Sequence, residues 1–352
     1  MINVTKTFLP DQREFQDILE RAWSRGWMTN RGVLVKELEE KLKNHLGVPN
    51  IIAMTNGTLP IQIAIKTLKL QGEIITPAFS YVATTSSIVW EGCTPVFVDI
   101  HPEYLTIDES LIEAAISPRT SAILATHVFG NPCEVEKIEA IAGKHNLKVI
   151  YDAAHCFGAS YKDKSIFSYG DVSTCSFHAT KLFHTGEGGA LICKPELFDA
   201  MYFHHNFGHD GPETFRSLGI NAKMSEMQAA MGLAVLPYMA HILERREAVV
   251  SYYREHISLQ ALKIREGTVW NFAYYPVLFE DEKTLLRTIT ALNKDEIFPR
   301  RYFYPSLDTL GYTTASELPV THDVSSRILC LPLAHNLEVP DLERISKIIN
   351  KR

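Results

Sequence analysis

Lys148-Val149-Ile150-Tyr151-Asp152-Ala153-Ala154-His155 passes from an apolar run into a carboxylate, two alanines and an imidazole. The apolar part reads as a buried strand over 148–153, with Asp152 at its carboxyl end. In open α/β sheets ligands bind beyond the carboxyl ends of the strands, so polar residues at this point mark a site. A carboxylate there is poorly solvated and wants a cationic partner; a protonated pyridine nitrogen is one, and capping the next turn is the plainer use of the same Asp.

Working outward, strand patterns over 51–55, 73–77, 95–100 and 122–128 alternate with helix patterns over 58–69, 81–91, 108–116 and 133–145. Such alternation predicts a mostly parallel sheet with helices on both faces. Each of these strands also ends in small or polar residues, as in Thr55-Asn56-Gly57-Thr58 and Thr126-His127. Further along, 172–178 and 190–193 read as two more strands, and 224–257 as one long helix rich in Met, Ala, Glu and Arg. Strands near 270–278 and 327–333 and a closing helix near 339–350 complete the chain. The expected domains are 1–235 and 236–352, with residues 1–15 packing on the smaller one.

Composition agrees with this plan and narrows the function. A chain of 352 residues implies about two domains at roughly 150 residues each. Lys and Arg number 35 against 41 Asp and Glu, a formal charge of -6 without basic blocks, which argues against a nucleic-acid reader. Six cysteines are scattered with no C-x-x-C, as expected of reduced, buried thiols. The start of the sequence has no signal-like apolar core, and no run of about 18 apolar residues occurs. A cytoplasmic protein without membrane association is the expectation.

Two more clusters bear on chemistry. Thr55-Asn56-Gly57-Thr58 sits at a strand-to-helix turn, where Gly57 lets backbone N–H groups approach an anion; a simple N-cap by Thr58 explains the same residues. Ser176-Phe177-His178-Ala179-Thr180-Lys181 leads into Gly186-Glu187-Gly188-Gly189. Lys181 there is either an ordinary surface lysine or, if partly buried, an amine of lowered pKa and raised nucleophilicity. A Schiff-base lysine and an Asp facing a pyridinium are what a pyridoxal phosphate site requires. Elsewhere, His204-His205-Asn206-Phe207-Gly208-His209 reads as a loop without a third metal ligand, so no metal is expected. Arg300-Arg301-Tyr302-Phe303-Tyr304 could clamp a diphosphate and stack a ring, or form a surface turn.

Taken together, Asp152-Ala153-Ala154-His155, Ser176–Lys181 and Gly186-Glu187-Gly188-Gly189 resemble the fingerprint of the DegT/DnrJ/StrS sugar aminotransferases. The resemblance extends from Trp27-Met28-Thr29-Asn30-Arg31-Gly32 through Gly219-Ile220-Asn221 and Met224 to Leu331-Pro332-Leu333. It implies the α/β aspartate aminotransferase fold (type I): a mostly parallel seven-stranded sheet in the large domain and a small C-terminal α+β domain. It implies pyridoxal 5′-phosphate, with Lys181 as the catalytic Schiff-base lysine and Asp152 on the pyridine nitrogen. His155 would lie near the ring's phenolic oxygen, Tyr81 on the ring face, and Gly57, Thr58 and Ser176 on the phosphate. Asn221 would reach the neighbouring subunit's cofactor, making a homodimer with shared sites. His184, Arg300, Arg301 and Tyr302 are the candidate substrate contacts.

The implied reaction moves an amino group from L-glutamate to a nucleotide-linked ketosugar. The nearest branch is that of bacterial enzymes aminating C4 of dTDP-4-keto-6-deoxyglucose for surface polysaccharides such as O-antigen. Leu182-Phe183-His184 and Ala222-Lys223 depart from the commoner family pattern beside the substrate region. Amination of a 3-ketosugar nucleotide is the alternative within the family. A sugar 3-dehydratase would carry His at the position of Lys181. A non-catalytic cofactor-binding regulator is the rival from another class; fused to a DNA reader it would need an extra helix-turn-helix and a basic patch.

Overall fold

The computed structural model describes residues 1–351. In chain order it begins with β1 (Ile2–Asn3), α1 (Gln12–Trp23), α2 (Val33–Leu46), β2 (Ile52–Met54), α3 (Leu59–Thr67), β3 (Glu73–Pro77) and α4 (Val82–Trp90). Then come β4 (Thr94–Val98), α5 (Glu109–Ile112), β5 (Thr120–Thr126), α6 (Val135–His145), β6 (Lys148–Asp152), β7 (Ser160–Tyr161) and β8 (Lys164–Ser165). They are followed by β9 (Val172–Ser176), β10 (Gly189–Cys193), α7 (Phe198–His205), α8 (Glu226–Val235) and α9 (Met239–His256). The remainder is β11 (Gln260–Ala261), β12 (Thr268–Val269), β13 (Tyr275–Leu278), α10 (Glu282–Lys294), β14 (Ile297–Phe298), α11 (Pro319–Arg327), β15 (Ile328–Leu331) and α12 (Val339–Ile349).

The central sheet has seven strands in the order β2-β10-β9-β6-β5-β3-β4. Only β10 runs against its neighbours; the pairings of β3 with β4 and β5, β5 with β6, and β6 with β9 are parallel. This is the α/β architecture read from the alternation. β3 and β6 are wholly or almost wholly buried, as strands covered on both faces must be. One core runs along each face of the sheet, the first through Leu38, Ile123 and Tyr151, the second through Ile63, Leu124 and Ile150. A separate core of Val249 to Ile349 surrounds the three-stranded sheet β11-β13-β15. β1 pairs in parallel with β14, placing Ile2 opposite Ile297.

Three expectations need correction. The helix read over 224–257 is two: α8 stops at Val235 and α9 starts at Met239, with a 3₁₀ turn over Leu236–Tyr238. Pro237 brings no N–H and crowds the preceding turn, so the helix cannot run through it. The helix read over 108–116 keeps α geometry only in α5 and closes in a 3₁₀ turn. His204 and His205 end α7 and are not in a loop. The sequence reading also missed α1 and α2, which pack on α8. Among the described residues, no helix is long and apolar enough to cross a membrane.

Candidate active site

Because the parallel strands point the same way, their carboxyl ends deliver polar side chains to one edge of the sheet. A cleft of about 450 Å³ opens there. The turn after β2 gives Asn56, Gly57 and Thr58, the end of β3 gives Ser80 and Tyr81, and β5 gives Thr126. β6 gives Asp152 and His155, and β9 and its loop give Ser176, His178 and Lys181. Tyr274, Arg300, Tyr302 and Phe303 close the opposite wall.

Asp152 is buried at the floor, 5% exposed. Its carboxylate accepts from the Thr84 hydroxyl at 2.7 Å and from the Ala154 amide at 3.1 Å. A chain of hydroxyls stands behind it, since Ser80 bonds both Thr84 (2.7 Å) and Thr126 (3.0 Å). Burial pushes the Asp152 carboxyl upward, opposed by these hydrogen bonds and by the Lys181 charge. Lys181 is half-buried, and its Nζ lies 5.8 Å from the Tyr274 ring centroid. Burial lowers its pKa against the pull of Tyr302 and Asp152, which favours a reactive free amine. Among the described residues Asp152 and Lys181 make no ion pair with each other, and the Lys181 charge reaches the carboxylate only through space.

The turn after β2 is shaped for an anion. Asn56 Oδ1 accepts from the Thr58 and Leu59 amides, both at 2.9 Å, so Asn56 caps α3 and the expected cap by Thr58 is not made. The Thr58 hydroxyl is thereby left for the cleft. A Cβ on Gly57 would lie 2.7 Å from Ser176 Cβ and 3.0 Å from its Oγ. Only glycine lets the turn and β9 approach this closely, which brings Gly57, Thr58 and Ser176 together in the cleft lining as a cradle for a phosphate-sized group. Tyr81 stands at the mouth, 56% exposed, with its ring lining the cleft.

The cleft brings together Gly57, Thr58, Tyr81, Asp152, His155, Ser176, Lys181, Arg300 and Tyr302. It does not bring the other expected residues. His184 is 1% exposed; its Nε2 bonds the Phe8 carbonyl at 2.6 Å while its Nδ1 accepts from the Gly186 amide. With both nitrogens used inside the protein it has nothing to offer a substrate. Arg301 points away from Arg300, donating to Glu282 (2.7 Å) and the Ser326 carbonyl (2.8 Å), with its guanidinium 3.5 Å from the Tyr304 ring centroid. Arg300 lines the cleft, its backbone held by two hydrogen bonds exchanged with Cys330 of β15. Asn221 is exposed outside the cleft of its own chain, bonded to Lys223 at 2.7 Å.

Sequence reasoning missed Asn56, Thr84, Tyr274 and Phe303. Asn followed by Gly at a strand end is an Asx-turn signal, and could have found Asn56. Phe303 lies in the basic-aromatic cluster singled out above but was given no role there, and Tyr274, from the far half of the chain, carries no local signal.

Residues 10–350 match the DegT/DnrJ/EryC1/StrS aminotransferase family. The chain belongs to that family. Among its relatives, it is 41% identical to a dTDP-4-amino-4,6-dideoxy-D-glucose transaminase of Shigella dysenteriae, covering 99% of this chain and 98% of the relative. A transaminase of the same description from Escherichia coli is 37% identical, with the same coverage. Among solved structures, the crystal structure of DesI in the presence of its TDP-sugar product superposes with a TM-score of 0.94 at 31% identity. That match covers 99% of this chain and 92% of DesI. The fold is accordingly that of the sugar aminotransferases, as the motifs implied.

Proposed function

We propose that this chain is a pyridoxal phosphate-dependent aminotransferase moving an amino group from L-glutamate to C4 of a nucleotide-linked 4-keto-6-deoxy sugar. The sugar is dTDP-4-keto-6-deoxy-D-glucose, the product dTDP-4-amino-4,6-dideoxy-D-glucose, and its use surface polysaccharide synthesis. The observation that carries the reading is the meeting of Lys181 and Asp152 in one cleft beside the Gly57 cradle. Full-length likeness to two transaminases of that description supports the choice of sugar.

The residues fit the cofactor. Bound pyridoxal phosphate supplies an aldehyde and an electron-withdrawing ring able to take up the charge left when a Cα–H bond breaks. Gly57, Thr58 and Ser176 would hold its phosphate, Asp152 a protonated ring nitrogen, and Tyr81 one ring face. Lys181, once its amine is free, takes the proton from Cα of glutamate and, in the second half-reaction, delivers one to C4 of the sugar. Burial lowers its pKa, which favours the free amine that a base requires. Tyr274 and Phe303, both buried, keep bulk water from that amine. Arg300, whose guanidinium lies 5.4 Å from the Tyr302 ring centroid, offers the cation for a substrate diphosphate.

The working unit is a homodimer in the cytoplasm, with domains 1–235 and 236–352 closing on the cleft and Asn221 serving the partner's site. Six buried free cysteines suit a reducing compartment. The deciding experiment incubates the protein with glutamate and dTDP-, UDP- or GDP-linked 4-keto and 3-keto sugars, reading product mass. A dTDP-4-aminosugar is expected. Product from 3-ketosugars alone overturns the C4 assignment, and the same yield from Lys181→Ala overturns the role of Lys181.

A further inference from the structure

His155 has one nitrogen committed to the protein and one to the cleft. Its Nδ1 accepts the Phe129 amide N–H at 3.0 Å. An atom that accepts from an amide cannot itself carry a proton, so the proton of the neutral ring sits on Nε2, the nitrogen left for the cleft. The ring lies nearly parallel to Phe303 (5.8 Å, 10°) and Phe129 (6.0 Å, 16°), which are themselves 5.7 Å apart, and this three-ring cluster sets its plane.

What holds the Phe129 amide in place is less obvious. Phe129 has φ 57° and Gly130 φ 80°, a left-handed pair that a β-branched or bulky residue rarely adopts unaided. Trp270 Nε1 donates to the Phe129 carbonyl at 2.8 Å. Asn271 Nδ2 donates to the carbonyl of His155 itself (2.8 Å) and to that of Phe157 (2.9 Å). Asn271 is 2% exposed, and a Cβ on Gly130 would clash with its Oδ1, so this turn and this amide are packed closely against each other. The next two residues are anchored in turn, Arg246 of α9 donating to the carbonyls of Phe272 (2.8 Å) and Ala273. Neither Trp270 nor Asn271 lines the cleft.

We propose that Trp270 and Asn271 are positioning residues that fix His155 as an Nε2–H donor facing the cleft. One grips the turn that donates to the ring; the other grips the backbone that carries it. Its catalytic consequence rests on the aminotransferase reading, in which that N–H meets the cofactor's phenolic oxygen. The tautomer itself does not. Outer partners that orient a site imidazole are worth about 10–100-fold in activity where they orient metal ligands, and a similar loss is expected here.

The test uses full-length protein labelled with ¹⁵N-histidine, His155→Gln identifying the His155 signals in long-range ¹H–¹⁵N spectra. Wild type is expected to show one pattern, Nε2 protonated and Nδ1 bare. Asn271→Ala should show averaging between the two tautomers, with kcat down about 10-fold or more and KM for each substrate within about threefold. Trp270→Phe keeps the ring packing, should shift the same signals to a lesser degree, and serves if Asn271→Ala does not fold. A single unchanged Nε2–H pattern in the variants overturns the proposal, and a changed tautomer with wild-type kcat overturns its catalytic consequence. Should no ketosugar be aminated at all, the spectra still decide the tautomer, separating this failure from that of the functional reading.

Discussion

Asp152 shows how a site residue can work against the stability of its own fold. Burial raises its pKa above the ordinary 3.8, so the native chain holds this proton more tightly than the unfolded one does. Stability therefore falls as pH rises through the window above 3.8. Asp152→Asn removes that loss, so the protein freed of cofactor should melt at a higher temperature than wild type at neutral pH, by calorimetry. Transamination should meanwhile collapse, since an amide no longer offers a full counter-charge to a ring N–H⁺. A variant that melts lower, or keeps turnover, contradicts this account. Residue type and strand-end position made Asp152 and Lys181 legible in sequence. His184 and Arg301 misled because proximity along the chain says nothing of side-chain direction: one turns to Phe8, the other to Glu282. Thr84 escaped notice because its role exists only through α4 lying against β6.

At the scale of elements, hydrophobic period and turn chemistry located the strands of the central sheet to within about two residues, but could not see long-range caps. The start of α2 has no side-chain cap from its own neighbour, Gly32. Its orphan amides are met from 191 and 192 residues away, Glu226 accepting from Leu34 (2.8 Å) and Val35 (3.1 Å). Glu226 is fully buried and begins α8, so one carboxylate closes two helix starts on each other. A Cβ on Gly32 would lie 2.7 Å from that carboxyl, which explains the glycine. Glu226→Ala strands two buried donors, each costing about 1–3 kcal/mol, and should lower the urea midpoint accordingly. Glu226→Gln keeps one acceptor and should lose less. On the β2–α3 turn, Gly57→Ala forces Ser176 to move, and cofactor affinity by titration should fall about 10-fold or more while the fold survives.

For the molecule as a whole, acid and assembly are the informative variables. Burial holds His127 at about 3 and His205 at about 4, below the ordinary 6.5. The unfolded chain then binds more protons than the native one, so stability present above pH 6.5 is lost as pH falls toward those values. Each such histidine removes about 1.4 kcal/mol per pH unit in that window, visible as a falling urea midpoint that His127→Asn should flatten by one share. Assembly is tested by mixing. Phe207, Phe215, Leu218 and Ile220 are exposed on the same segment as Asn221, an apolar surface suited to a second copy. If Lys181 serves its own site and Asn221 the partner's, Lys181→Ala and Asn221→Ala are each inactive alone. Unfolded together and refolded one to one, about half the dimers are hybrids, and each hybrid has one site with both residues intact. Activity should therefore return to about a quarter of wild type. No recovery from a mixture that demonstrably forms hybrids would mean that both residues act within one chain.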